Sequence, residues 1–320
     1  MNRTMGNAMT KPAPRAHILM CRPAHFAVSY AINPWMDPQS WAREDRALAT
    51  TAHREWSALH RALLKSGARI EFVPPVAGLP DLVFTANAAV VLDGKAVLAR
   101  FRHPQRQAEE TPYEAAFRAL QNRGMLDSVR RLPDGVVLEG AGDCVWDSTR
   151  NLFWMGYGPR SDAAAQDVVA YEFGVPVVAL ELADPPFYHM DTALCPLSRG
   201  EVIYFPGAFT PAGLAAIHGR VAPADRIEIG IEDACRLAAN AVCIGDTLVM
   251  SGCSDALRAA IEARGYCVIA TPLEAFLRSG GSAFCLTLRL DRASSILHET
   301  GETAGEQPAT PRYAAGGAVG

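Results

Sequence analysis

The stretch GGSAFCLTLRL, residues 280–290, places Cys285 just beyond a glycine pair, at the head of an apolar, strand-like run. Free cysteine is commonly a small buried apolar residue. A nucleophilic role therefore needs a base and a pocket supplied from elsewhere in the chain. FYHMDT offers an imidazole, His189, with a carboxylate, Asp191, two residues on. In an extended segment both side chains would leave one face, with Met190 on the other. A carboxylate beside an imidazole orients the ring and favours the imidazolium, which suits a general acid working near neutral pH. LEGAGDC carries Glu139 and Asp143 around a Gly-Ala-Gly bend, a shape that lets backbone approach a ligand closely. PDLVFTAN carries Asp81 and Asn87 on either side of an apolar segment. A thiol, an imidazole, carboxylates and amides together match a flat cation rich in N–H donors, such as a guanidinium. Arg106 in RHPQRQ and Arg160 in GYGPRSD would clamp a carboxylate at the far end of such a substrate, unless they are merely solvated. Asn33 in INPW and the FPG of residues 205–207 read as pocket-lining turns.

These residues lie far apart in sequence, so the fold must bring them together. ANAAVVLDGKAVLARF reads as strand, Asp93-Gly94 turn, strand, a strong hairpin signal. DCVWDSTRNLFWMGYG, DTALCPLSRGEVIYFPGAF and NAVCIGDTLVMSG repeat that shape, turning at 148–151, Arg199-Gly200 and Gly245-Asp246. AFCLTLRL would be the first strand of a fifth copy, closed by the N-terminal HILMCRP. Between hairpins come helical patterns. Residues 37–67 space Trp41, Leu48, Ala52, Trp56, Leu59 and Leu63 at helical steps and stop at Gly67. SDAAAQDVVAYEFG and SDALRAAIEARG each open on Ser-Asp and close on glycine. A short apolar strand follows each helix. The recurring unit is hairpin, helix, strand. Its polar entry residues, Asn87, Glu139, His189, Asn240 and Cys285, recur at intervals of 52, 50, 51 and 45 residues. Five such units about an axis would bring the entries to one central spot.

Bulk composition sets the bounds. A net charge of −4 carries no basic footprint for nucleic acid. No apolar run reaches the length of a membrane span, and the first residues lack a secretory h-region. Eight scattered cysteines without a C-x-x-C pair suit neither a zinc site nor a compact disulfide framework. Reduced thiols in a cytoplasmic protein are the simplest account. Residues 1–14 read as a disordered leader, 15–295 as a single catalytic domain, and 296–320 as a disordered tail. A homo-oligomer stays open at this level.

In order along the chain, INPWMD, PDLVFTANA, LEGAGD, GYGPRSD, FYHMDTALCPL, YFPGAF and GGSAFCLTLRL resemble the guanidino-group-modifying enzymes, the pentein superfamily. The resemblance covers nearly all of residues 15–295. It implies a five-bladed α/β propeller of ββαβ repeats around a pseudo-fivefold axis, in agreement with the repeat read from the punctuation. It also implies that Cys285 is the nucleophile and His189 the general acid and base. Glu139 and Asp191 become partners of the substrate guanidinium or of the histidine. Asp81, Asn87, Asp143, Arg106 and Arg160 are the remaining candidate substrate contacts, with no metal and no cofactor. The pattern is most similar to the arginine dihydrolase branch, which releases ornithine, ammonia and carbon dioxide. Deiminases and dimethylarginine hydrolases usually carry aspartate where this chain has Asn87. Asparagine adds a donor that can meet the ureido oxygen of a bound citrulline. A citrulline-forming deiminase or dimethylarginine dimethylaminohydrolase, an amidinotransferase, and a non-catalytic arginine binder on the same fold are the alternatives.

Overall fold

The computed structural model describes residues 16–295; the proposed leader and tail lie outside the described residues. Fifteen strands pair into five three-stranded sheets of one pattern. Strands β1 (His17–Cys21) and β2 (Arg69–Val73) run parallel in the sheet that joins the two ends of the described chain. The second sheet holds β3 (Ala89–Leu92), β4 (Lys95–Leu98) and β5 (Ser128–Arg130). The third holds β6 (Cys144–Asp147), β7 (Leu152–Tyr157) and β8 (Val177–Glu181). The fourth is β9 (Leu194–Pro196), β10 (Val202–Tyr204) and β11 (Arg226–Glu228), and the fifth β12 (Val242–Ile244), β13 (Thr247–Met250) and β14 (Cys267–Ala270). The last strand, β15 (Leu288–Arg289), pairs antiparallel with β1. Each sheet is an antiparallel hairpin whose second strand takes a parallel third strand after a crossover, and the first sheet completes its hairpin from opposite chain ends. This is the five-bladed α/β propeller that the repeat predicts.

Local chemistry explains the units. Asp93 and Gly94 both adopt positive φ, as the tight two-residue turn between paired Leu92 and Lys95 requires. The helix Asp45–Lys65 buries Leu48, Ala52, Trp56, Leu59 and Leu63 against Ile18, Met20 and Phe276. Trp41 belongs to a separate short helix, Pro38–Arg43, whose first turn Asp37 caps by accepting from the amides of Gln39 and Ser40. The single helical stretch read from residues 37–67 is thus two helices, broken at Glu44. In SDALRAAIEARG, Ser254 caps Asp255–Glu262 as its position predicts. In SDAAAQDVVAYEFG the helix begins only at Ala165, because Ser161 is engaged elsewhere. Two crossover helices, Glu110–Asn122 and Pro211–His218, complete the pattern in the second and fourth units. Among the described residues no helix is long and apolar enough to cross a membrane. All eight cysteines are unpaired.

Candidate active site

Backbone and side-chain hydrogen bonds link the five entry residues into a ring. Asn87 Nδ2 donates to the Glu139 carbonyl at 3.4 Å, and Glu139 Oε2 meets His189 Nε2 at 2.8 Å. Two residues past His189, the Asp191 carbonyl accepts from Asn240 Nδ2 at 3.1 Å. Asn240 then holds Cys285 twice: its Oδ1 accepts the Cys285 amide and its Nδ2 reaches Sγ, both at 3.1 Å. The ring closes where the Ala86 amide donates to the Cys285 carbonyl at 3.1 Å. The repeat spacing thus predicted which five residues the fold brings together. It also flagged Asn240, although its hold on the thiol has no signal in the sequence.

Local conformations differ from the expectation at two places. Cys285 lies not in a strand but in a turn, stabilised by the Leu286 amide bonding to the Ser282 carbonyl, three residues before β15. The preceding glycine is needed for space: a Cβ on Gly281 would lie 2.4 Å from the Phe84 ring. His189 is not in a strand either. It precedes a single helical turn, Met190–Ala193, so His189 and Asp191 do not share one face. The carboxylate that orients the imidazole is Glu139, while Asp191 Oδ2 accepts from the Cys285 thiol at 3.1 Å. The helical turn reverses the chain, and this separates their partners.

The two arginines are buried rather than solvated. Arg106 donates Nε and Nη2 to Glu109, Nη1 to Asn87 Oδ1 at 2.9 Å, and Nη2 also to the Asp81 carbonyl. With its guanidinium so occupied, Arg106 orients Asn87. Arg160 Nη1 pairs with Glu139 Oε2 at 2.9 Å while its guanidinium lies over the Tyr188 ring. Asp143 makes no approach to a ligand space. Its Oδ1 accepts the Met190 amide and its Oδ2 the Ser161 hydroxyl, so it braces the turn that carries His189. The Gly-Ala-Gly bend likewise brings backbone against the neighbouring unit rather than against a ligand: a Cβ on Gly142 would lie 2.2 Å from Asn87 Nδ2. Asp81 accepts from the hydroxyls of Tyr30 and Ser279.

Asp81, Asn87, Arg106, Arg160 and Cys285 line one small cavity together with Asn33, Tyr188 and Ser279. Asn33 therefore takes the lining place expected of it, whereas residues 205–207 do not. Glu139, His189 and Asp191 are not among that lining: Glu139 is bonded to Arg160, to His189 and, through its carbonyl, to Asn87, and Asp191 to Cys285. Arg160 also borders an outer vestibule with His103, Pro159 and Pro185.

Protonation follows from this burial. Burial alone would raise the Glu139 carboxyl, but the Arg160 guanidinium and the His189 bond outweigh it and hold Glu139 well below the usual range. Burial pushes His189 down to about 4, against the opposing pull of Glu139. The resting ring is therefore neutral at pH 7, not the imidazolium expected from H-x-D. An ionised Glu139 can only accept, so Nε2 carries the hydrogen and Nδ1 is left as a base. Burial also pushes Asp191 up to about 7, despite its bonds from Cys285 and Asn240. The Cys285 thiol is raised by burial first and by the Asp191 charge second, so the resting sulfur is protonated. Among the described residues the buried Asp191 Oδ1 has no partner, an acceptor open to an N–H donor.

In sequence and fold the chain is similar to known proteins. The model of a family described as N,N dimethylarginine dimethylhydrolase, eukaryotic, matches residues 22–292. The bifunctional arginine dihydrolase/ornithine cyclodeaminase AgrE of Nostoc sp. is 41% identical over 277 residues, which are 86% of this chain and 38% of that protein. The N(G),N(G)-dimethylarginine dimethylaminohydrolase of Mycobacterium tuberculosis is 36% identical over 271 residues, 85% of this chain and 84% of that one. A crystal structure of the substrate-bound N-terminal domain of ArgZ, an arginine dihydrolase from cyanobacteria, superposes with a TM-score of 0.81 at 38% identity. It covers 87% of this chain and 99% of that domain. The chain spans 38% and 37% of the lengths of the bifunctional relatives AgrE and ArgZ. With its five-unit fold and a family match from residue 22 to residue 292, this chain belongs to the dimethylarginine dimethylaminohydrolase family of the guanidino-group-modifying pentein superfamily.

Proposed function

We propose that this chain is a cysteine-dependent hydrolase of the guanidino group of L-arginine, carrying the reaction through citrulline to ornithine, ammonia and carbon dioxide. The observation that carries this reading is the orientation of Asn87. Arg106 has no acceptor, so its 2.9 Å bond can only go to the Asn87 oxygen, and the amide nitrogen is left as the group with a hydrogen to offer the cavity. An aspartate there would present only acceptors. The 41% and 40% identities to the two bifunctional arginine dihydrolases support the same branch.

Each residue has a role in two hydrolytic rounds. The substrate guanidinium donates to Asp191 Oδ1 and shares Glu139 with Arg160, while Arg160, bordering both cavity and vestibule, meets the α-carboxylate side. A cation beside Sγ favours the thiolate that burial otherwise suppresses. The thiol proton passes to His189 Nδ1, and sulfur attacks the guanidinium carbon. The C–N bond to a terminal nitrogen breaks as that nitrogen takes the proton, and ammonia leaves a thiouronium on Cys285. His189, neutral again, draws a proton from water. Hydroxide adds to the same carbon, the C–S bond breaks as His189 returns its proton to sulfur, and the adduct's hydroxyl proton passes to the released ammonia as citrulline forms. In the second round attack on the ureido carbon expels the second ammonia and leaves a thiocarbamate. Water cleaves it to the carbamate of ornithine, which loses carbon dioxide. Two waters are consumed per arginine.

The family match and the 36% identity to the M. tuberculosis dimethylaminohydrolase favour a second reading, in which a methylated arginine is cleaved to citrulline and an alkylamine. An amidinotransferase or a silent binder has less support. Purified protein incubated separately with arginine and with methylated arginine, without an acceptor amine, separates all four. Two ammonia and one ornithine per arginine, with an acid-trapped adduct on Cys285, are expected. Citrulline with one ammonia, or turnover only with methylated arginine, would overturn the proposal.

A further inference from the structure

Asn240 is the fourth of the five entry residues, and the proposed steps leave it without a part. It lies fully buried in the turn between the short helix Ile231–Cys235 and β12. Its backbone is fixed on both sides: the amide donates to the Leu237 carbonyl at 2.9 Å, and the carbonyl accepts the Phe284 amide at 3.3 Å. Leu237 holds a φ of 51°, a left-handed conformation that a residue other than glycine keeps only where its surroundings impose it. This strained turn sets the direction in which the Asn240 side chain leaves the chain.

The side-chain amide has one possible orientation. Its oxygen faces the Cys285 N–H, which can only donate, and its nitrogen faces the Asp191 carbonyl, which can only accept, both at 3.1 Å. The second N–H is then left for Sγ, also at 3.1 Å. Sulfur has one more side-chain neighbour, Asp191 Oδ2, and the two neighbours respond differently when the thiol ionises. As a thiol, Cys285 donates to Asp191 and accepts from Asn240. A thiolate has no hydrogen to donate, so a charged Asp191 then repels it. The Asn240 contact instead becomes a hydrogen bond to an anion, roughly twice as strong as a neutral one. Among the described residues no other side chain donates to Sγ. Tyr188 bonds to the Gly280 carbonyl, Arg106 to Glu109 and Asn87, and Arg160 to Glu139, while Asp81 is an acceptor. The Ser282 backbone also favours the thiolate, but it belongs to the loop that carries Cys285 itself.

We infer that Asn240 is a further catalytic residue, whose Nδ2 donates to the Cys285 sulfur and supports the thiolate, above all in the second hydrolysis. The weighting toward the second round rests on the reaction proposed above; the hold on sulfur does not. A bound guanidinium supplies positive charge beside Sγ, so the thiolate is already well populated and losing one donor lowers its share little. Neutral citrulline supplies none. The thiolate is then a minor species, and the same loss passes in full into the rate.

Alkylation of Cys285 by iodoacetamide in the substrate-free full chain tests this, resolved site by site by mass spectrometry between about pH 7.5 and 9.5. Asn240→Asp keeps an oxygen for the Cys285 amide and loses the amide donor, whereas Asn240→Leu fills the same space and loses both. Losing a hydrogen bond to an anion lowers the thiolate fraction about ten- to hundredfold, and the greater reactivity of a more basic sulfur restores part of that. Cys285 should therefore react about three- to tenfold more slowly in both variants. Cys144 and Cys195, both buried, report folding, since they become reactive only if the chain opens. The Asn240 side-chain N–H resonances of the wild-type chain give a reading that needs neither variant: they should move on Cys285→Ala. A wild-type alkylation rate in folded Asn240→Leu, or Asn240 resonances indifferent to Cys285→Ala, would overturn the inference. In single turnovers the citrulline-consuming step should slow about three- to tenfold and the arginine-consuming step by less, and equal slowing would remove the link to the second round. A wild-type chain that stops at citrulline would instead overturn the proposed reaction and leave the alkylation result standing.

Discussion

Asn87→Asp is the substitution that most directly probes the choice between one hydrolysis and two. Asn87 is buried, with its oxygen fixed on Arg106 and its nitrogen 3.4 Å from the Glu139 carbonyl. Aspartate preserves the bond to Arg106, whose charge keeps the new carboxyl ionised, but turns the atom facing the cavity from donor into acceptor. The effects on the two rounds then have opposite signs. Arginine is cationic, so a further carboxylate holds it at least as well, and kcat/KM for its consumption stays level or rises. Citrulline is neutral and directs a carbonyl oxygen at the changed position. Losing its donor and meeting a lone pair costs roughly 1–3 kcal/mol, which is about 5- to 150-fold in the partition between release and second attack. An enzyme making mostly ornithine should become one making mostly citrulline. The assay is a time course with arginine labelled at the guanidino carbon, following label into citrulline or into carbon dioxide. If arginine consumption persists and the ornithine fraction is unchanged, the donor argument is wrong.

Gly142→Ala tests the same amide from behind. Its Cβ would lie 2.2 Å from Asn87 Nδ2, so the amide must shift; a lower ornithine fraction and a denaturant-measured loss of roughly 1–3 kcal/mol are expected, and wild-type behaviour in both would show that the contact is slack. The His189 ring should titrate near 4 in the free protein, read from its NMR signals, and a midpoint at or above 6.5 would contradict the neutral resting state. The sign for stability follows: the unfolded imidazole takes up a proton as pH falls below about 6.5 while the folded one does not, so His189 lowers native stability between about 6.5 and 4. Asp191, raised to about 7, works against this, since its folded carboxyl binds the proton first.

Legibility in the sequence tracked the range of the interactions involved. Hairpins were readable because turn chemistry is local: Asp93-Gly94 and Gly245-Asp246 bridge paired strands wherever the unit sits. The ring was readable because it depends on periodicity, and intervals of about 50 residues survive any detail of side-chain direction. Partners were not readable. H-x-D suggested that Asp191 orients His189, but a single helical turn, invisible to an alternation argument, hands His189 to Glu139 and Asp191 to Cys285. Ser161 was read as a helix start because Ser-Asp favours one. It instead accepts the Glu139 amide and donates to Asp143, contacts set 22 and 18 residues away.

Burial accounts for the remaining gap, and it governs how the site would work. The H-x-D reading treated His189 as half solvated, where a neighbouring carboxylate raises its affinity for protons. In the folded chain the ring, the thiol and both carboxylates are at most 2% exposed, and desolvation is the first cause of shift for each of them. Desolvation disfavours every charged form, so an empty cavity keeps Cys285 as thiol and His189 as neutral imidazole. A guanidinium entering that space supplies the missing positive charge beside sulfur. In the proposed mechanism the nucleophile is then generated where and when a substrate cation is present. A neutral citrulline supplies no such charge, so the second round must ionise the thiol against the full desolvation penalty. If the proposed reaction holds, the second hydrolysis should be the slower of the two, with the hold of Asn87 on the ureido oxygen deciding whether citrulline stays long enough to react.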